Sequence, residues 1–182
     1  MTDQADAIYE RLLVVRAQSG DDAAFAELVE RYSPKLRYFL RKLLSSADGA
    51  EDALQDVWLA VLRHLPRLDA PAALRTWLYR IARDRAFARL RKRKLVQQPL
   101  AEAELVDCQE DEVSLSPDEA AAVHAALDQL PAEQREVLVL RFLEDLSYEE
   151  IARVIGCQIG TVRSRLHYGK RALHKALDTG EH

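Results

Sequence analysis

Residues 75–94 carry nine basic side chains and one acidic one, Asp84. Trp77, Tyr79 and Phe87 are interleaved with them. At about 100° per residue, Tyr79, Arg80, Arg83 and Phe87 fall away from Leu74, Leu78 and Ile81. A helix here packs one side and presents cations with π surfaces on the other. Such a face suits single-stranded nucleic acid: phosphates meet cations, and bases stack on rings for about 1–3 kcal/mol each. Trp77 lies on the apolar stripe and reads as core. So unbalanced a charge is costly unless something neutralises it, which favours nucleic acid over a merely solvated face.

A second constellation runs from Ser147 to Arg171 and has helix-turn-helix form. Ser147 and Glu150 have the spacing of a capping box, and Gly156 suits the positive φ of a tight turn. Ile151, Ala152 and Ile155 face inward on the first helix, Val162, Leu166 and Leu173 on the second. Arg163, Ser164, His167 and Arg171 fall on the other side of that second helix. A duplex major groove admits one helix, where Arg and Ser read base edges. Between Gln158 and Lys175 stand five basic residues and no acidic one. An ordinary helical hairpin with a solvated basic face shares this pattern.

Glu51, Asp52, Gln55 and Asp56 form the polar side of a third helix, and Leu59 shares part of it. Its apolar face is Leu54, Val57, Trp58, Val61, Leu62 and Leu65. First-turn acids favour the helix dipole, and no His lies near them in sequence. A docking surface for a basic partner is the functional reading; solvation is the plain one. No Gly-rich phosphate loop, nucleophile elbow or H-E-x-x-H is present. The five His residues are scattered, and Cys108 and Cys157 stand alone. Neither a metal site, a cofactor nor a catalytic constellation is expected, so the chain does not read as an enzyme.

Helices must position these groups. Of 182 residues, 48% are hydrophobic and 31% charged, which supports a packed core. The net charge of −4 is uneven: +5 over residues 1–94, −8 over 95–119 and −1 over 120–182. That distribution points to two modules and a linker. No apolar run approaches the roughly 18 residues that a membrane span needs, and the first residues are acidic and polar, unlike a signal peptide. A soluble, cytoplasmic protein without membrane insertion is expected.

Apolar positions recur at helical spacing and no alternating strand is found, so the fold class is all-α. Phe25, Leu28, Val29 and Tyr32 mark one helix. Ser33-Pro34 reads as the cap and first-turn Pro of the next, which holds Leu36, Phe39, Leu40 and Leu43. Asp48 with Glu51 reads as the capping box of the acidic helix. Periodicity fails over 95–115, an acidic linker. Order resumes at Ser116-Pro117, breaks at Leu130-Pro131, and continues through Val137, Leu138, Leu140 and Arg141. The expected domains are 1–94 and 116–182.

Three segments of the first module resemble region 2 of the sigma-70 family: Asp22-Ala23-Ala24-Phe25-Ala26-Glu27-Leu28, Ala50-Glu51-Asp52-Ala53-Leu54-Gln55-Asp56-Val57-Trp58 and Thr76-Trp77-Leu78-Tyr79-Arg80-Ile81-Ala82-Arg83. In the second module, Leu130-Pro131-Ala132-Glu133-Gln134-Arg135-Glu136-Val137, Leu146-Ser147-Tyr148-Glu149-Glu150-Ile151-Ala152 and Gly160-Thr161-Val162-Arg163-Ser164-Arg165-Leu166-His167 resemble region 4. Their order, with no middle domain, is that of the extracytoplasmic-function (ECF) group.

The resemblance implies a region 2 helical bundle and a region 4 helix-turn-helix in a dissociable specificity subunit of RNA polymerase. Glu51, Asp52, Gln55, Asp56 and Leu59 would dock on the β′ clamp helices of core RNA polymerase, with the β flap a further contact. Arg75, Trp77, Tyr79, Arg80, Arg83, Phe87 and Arg91, with the loop His64–Ala73, would hold the melted −10 strand and a flipped base. Thr161, Arg163, Ser164, Arg165, His167, Tyr168 and Arg171 would face the −35 major groove. Promoter DNA and an anti-sigma factor are the other implied partners. The chain departs from the pattern at Asp84, whose carboxylate would repel phosphate. It departs again at Tyr168, where a basic residue is common, and at Gly169, which weakens a helix by about 1 kcal/mol relative to Ala. The rival readings are a polymerase-independent operator-binding regulator and a protein adaptor.

Overall fold

A computed structural model describes residues 2–44, 47–96 and 117–179. Among the described residues every regular element is helical. The chain divides into two compact units, Met1–Arg93 and Lys94–His182. Most of the expected acidic linker, including Cys108, and the Ser116 cap lie outside the described residues.

The first unit comprises α1 (Thr2–Gln18), α2 (Asp22–Leu44), α3 (Ala47–His64) and α4 (Leu74–Val96). Two 3-10 turns, Leu65–Arg67 and Pro71–Ala73, join α3 to α4. Helix α1 has no counterpart in the periodicity, and its apolar residues show why. Leu13 and Val14 are buried, but Ile8, Leu12 and Val15 are 60%, 51% and 49% exposed. Polar bonds to α2 add to that narrow apolar anchor. Tyr32 donates its hydroxyl to Glu10 Oε2 at 2.6 Å, Tyr9 donates to Glu27 at 3.0 Å, and Arg31 pairs with Asp6. Burial, then the Glu10 acceptor, push the Tyr32 phenol above its ordinary range.

Helix α2 corrects the expected break at Ser33-Pro34, because it runs through Pro34 without interruption. Pro in a helix interior removes one hydrogen bond and costs about 3 kcal/mol. Here Pro34 lies on the exposed side, where water can meet the freed carbonyl. Ser33, rather than capping, accepts a 3.0 Å hydrogen bond from Trp58 Nε1, and Trp58 meets Phe25 edge-on. Cross-helix packing thus overrides a local stop signal. Helix α3 already includes Ala47, which places Asp48 inside the first turn and not at a cap. Glu51 Oε1 is taken by Arg37 at 2.8 Å and Arg41 at 3.1 Å. Helix α4 continues past Lys94, where the first module was expected to end. Phe39 and Tyr79, both fully buried, meet edge to face at 5.4 Å in the core of this unit.

The second unit comprises α5 (Pro117–Gln129), α6 (Ala132–Leu138), α7 (Tyr148–Ile155) and α8 (Ile159–Thr179). Pro117 takes the first helical position and Pro131 the break, as their chemistry demands. Arg135 is buried and donates to the carbonyls of Asp128 at 3.0 Å and Leu130 at 2.6 Å, tying the end of α5 to α6. Burial lowers its pKa from the ordinary arginine value. Helix α6 passes into a π-helical turn, Val139–Leu143, that periodicity did not signal. The widened turn keeps Val139 and Leu140 buried while leaving Phe142 and Leu143 55% and 45% exposed.

Gly169 has a packing reason that outweighs its poor helix propensity. A Cβ there would lie 3.1 Å from Leu138 Cδ1 and 3.4 Å from the Gln134 carbonyl oxygen. The missing side chain lets α8 approach α6. Gly169→Val is therefore expected to destabilise the second unit by about 1–2 kcal/mol, overpacking outweighing the propensity gain. Urea unfolding of the full chain checks this; a midpoint at or above that of the parent would refute it.

Candidate nucleic-acid and protein-docking surfaces

Helix α4 turns a mixed face outward. Arg80 and Arg91 are exposed, while Arg75, Trp77, Arg83 and Phe87 are half-buried. The Arg83 guanidinium stacks over the Phe87 ring at 4.5 Å, which orients the cation and covers one face of the ring. Asp84 is exposed beside it, its carboxylate 3.9 Å from Arg83 Nη1. Trp77 is open enough to offer part of its indole, whereas it had read as core. Tyr79 is corrected in the other direction. It is 0% exposed against Phe39, so its ring is closed to a base. The helical angle sets Tyr79 away from the apolar stripe, but packing against Phe39 draws it in.

Helix α3 exposes Asp52, Gln55 and Leu59 and half-exposes Glu51 and Asp56. Leu62, expected in the core, is 57% exposed and extends the stripe beyond Leu59, itself 53% exposed. The six-residue apolar face was too wide for one buried arc, and periodicity could not show which edge would stay out. Arg89 was counted with the nucleic-acid cations, but it reaches α3. Its Nη2 lies 2.6 Å from Asp56 Oδ2 and its Nη1 3.8 Å from Asp52 Oδ2. These acids are thus partly neutralised from α4, a link that no spacing in the sequence announces.

In the second unit the helix-turn-helix is built by local chemistry. Ser147 Oγ accepts from Glu150 N–H at 3.2 Å, and Glu150 Oε2 accepts from Ser147 N–H at 2.8 Å. Gly156 closes α7 at φ 70°. Ile151, Val154, Ile155, Val162 and Leu166 are buried, Val154 being an addition to the expected set and Ala152 and Leu173 only half-buried.

The outer side of α8 is narrower than its sequence promises. Arg163 and Arg171 are exposed, and Thr161 and Ser164 are half-exposed. Ser164 Oγ donates to the Thr161 carbonyl at 3.1 Å. Arg165 turns toward α6, its Nη1 3.1 Å from Oε1 of the fully buried Glu136. His167 Nε2 is buried without a hydrogen-bond partner among the described residues, and the Tyr168 hydroxyl is also shielded from solvent. Their rings meet edge-on at 5.3 Å. Arg165 is thus engaged with α6 while 30% of its side chain stays exposed, and the rings of His167 and Tyr168 are half-buried.

Two family models match the chain in order: sigma-70 region 2 over residues 28–96 and sigma-70 region 4 over residues 120–173. The chain belongs to the sigma-70 family. Within it, similarity lies with the ECF group. The chain is 36% identical over 180 residues to the RNA polymerase sigma-H factor of Pseudomonas aeruginosa, covering 92% of this chain and 93% of that protein. It is 31% identical over 186 residues to the ECF RNA polymerase sigma-E factor of Escherichia coli K12, covering 93% and 94%. The sigma factor RpoE of Bartonella quintana, solved with the anti-sigma factor NepR, is similar in structure. Its TM-score is 0.67 at 28% identity, covering 85% of this chain and 96% of that one. The protein is thus an ECF-type RNA polymerase sigma factor, a transcription initiation factor. The α3 stripe and α4 face lie in its region 2, and the α8 face lies in its region 4. No helix among the described residues is long and apolar enough to cross a membrane.

Proposed function

We propose a division of labour among these surfaces. The α3 stripe, with Asp52, Gln55, Asp56, Leu59 and Leu62 and with Glu51 at its edge, docks on the β′ clamp helices of core RNA polymerase. The α4 face, through Arg75, Trp77, Arg80, Arg83, Phe87 and Arg91, holds the melted −10 strand together with the loop before it. The α8 face reads the −35 duplex through Thr161, Arg163, Ser164 and Arg171. Exposed Phe142 and Leu143 offer the β flap an apolar contact. The protein acts in the cytoplasm as a dissociable specificity subunit, not as an enzyme. The pairing with an anti-sigma factor seen for the Bartonella quintana protein extends to this chain.

The observation that carries this reading is the contrast between two cationic faces. The α4 face has partly open rings beside its arginines, which suits unstacked bases. The α8 face exposes Arg163 and Arg171 on the second helix of a capped helix-turn-helix, which suits a closed duplex. In-vitro transcription with bacterial core RNA polymerase, this protein and fragmented genomic DNA tests it, with RNA 5′ ends mapped. Discrete start sites that share −35 and −10 elements are expected. Absence of initiation, with duplex binding by the free protein, would instead establish an operator-binding regulator.

Arg163→Ala is expected to lower transcription from such promoters about 10- to 100-fold and to relax base preference at one −35 position. Transcription from a library of −35 variants checks this. An unchanged preference would remove Arg163 from the reading set.

A further inference from the structure

The segment between α3 and α4 is short of internal support. Leu65 is buried and anchors one end, and buried Leu74 anchors the other. Between them Arg67, Asp69, Ala70 and Ala72 are exposed. Leu68 and Ala70 have extended backbone, with φ, ψ of −76°, 103° and −119°, 95°. The Leu68 and Ala73 amides close small turns onto Leu65 O and Ala70 O. Those of Asp69 and Ala70 make no hydrogen bond among the described residues.

One side chain from outside braces this backbone. Gln18, the last residue of α1, donates through Nε2 to the Leu65 carbonyl at 3.0 Å and to the Leu68 carbonyl at 2.8 Å. The two carbonyls bracket the first 3-10 turn, so one carboxamide ties its start to its exit. At the far end, Thr76 Oγ1 donates to the Ala73 carbonyl at 3.0 Å, which fastens the segment to the first turn of α4. Gln18 and Thr76 thus hold the two ends of the stretch that carries the unused Asp69 and Ala70 amides.

We infer that Gln18 is a positioning residue for strand capture: it holds the backbone from Leu65 to Leu68 so that the unused amides of Asp69 and Ala70 receive the edge of an unstacked base. This rests on the reading that the segment and α4 handle the melted −10 strand. An irregular stretch with unused amides offers hydrogen bonds to a base edge only while its shape is held, because ordering it on binding would lower the affinity. The whole of α1 is thereby given a part in promoter opening, although it bears none of the DNA contacts.

The test compares parent, Gln18→Leu, Gln18→Asn and Gln18→Lys as holoenzymes with bacterial core RNA polymerase. Leu keeps the bulk and loses both donors; Asn keeps the amide but falls short; Lys restores a donor of sufficient reach. Start sites mapped with the parent supply the −10 sequence for a fluorescent single-stranded oligonucleotide and for base variants of it. The expected result is unchanged assembly with core, a loss of about tenfold in oligonucleotide affinity for Leu and Asn, as two hydrogen bonds would give, and a flattened preference at one base position. Lys should recover most of both. Equal affinity and preference in all four proteins would overturn the inference. So would a uniform loss on every oligonucleotide that tracks a lowered melting temperature, which marks a merely structural glutamine. Should the parent itself fail to initiate at discrete sites, the underlying sigma-factor reading fails first, and the two failures are separable.

Discussion

Arg165→Leu is expected to destabilise region 4 by about 3 kcal/mol while removing no base contact. Its guanidinium is 3.1 Å from a carboxylate on Glu136, which is 0% exposed, and its own side chain is 30% exposed. Breaking a buried pair from one side costs about 3–5 kcal/mol, since the remaining charge keeps its desolvation penalty. The lower end applies here because Arg165 is partly hydrated. Urea unfolding of the full chain should show a less stable region 4 transition. The double variant Glu136→Met with Arg165→Leu should regain part of the loss, because an apolar pair carries no buried charge. If Arg165 instead read the −35 element, the single variant would unfold like the parent and fail only in promoter binding.

Tyr79→Ala should unfold region 2 rather than weaken strand capture alone. The ring is fully buried and meets Phe39 edge-on at 5.4 Å. Large-to-small changes of buried aromatics cost about 3–5 kcal/mol, a large part of the stability of a small unit. Thermal unfolding and assembly with core polymerase should both suffer. Tyr79→Phe keeps the packed ring and should retain most of the transcription. A ring that stacked on a base would behave differently: its removal would spare the fold and cost about 1–3 kcal/mol of single-strand affinity.

Both corrections have the same origin. Periodicity assigns a residue to an arc of about 100° but does not say where the neighbouring helix stops. Leu62 belongs by angle to an apolar arc and Tyr79 falls outside its own, yet packing leaves the first out and takes the second in. Arg165 and Arg89 carry the charge expected of DNA contacts. Their carboxylate partners, Glu136 and Asp56, are 29 and 33 residues away in sequence, so no local pattern reveals the pairs. Helix α1 is invisible to periodicity for a related reason, since polar bonds to α2 help hold it and most of its apolar residues remain exposed.

By itself the sequence determined the all-helical class, the two cation-bearing helices, the acidic helix and the capped helix-turn-helix. These depend on spacing, capping chemistry and charge, which act within a few residues. Tertiary structure alone decided which arginines remain available to nucleic acid, which rings are open to a base, and that Gln18 braces the segment before α4. Those outcomes depend on burial and on hydrogen bonds between helices, and folding sets them through packing that no single stretch of chain encodes.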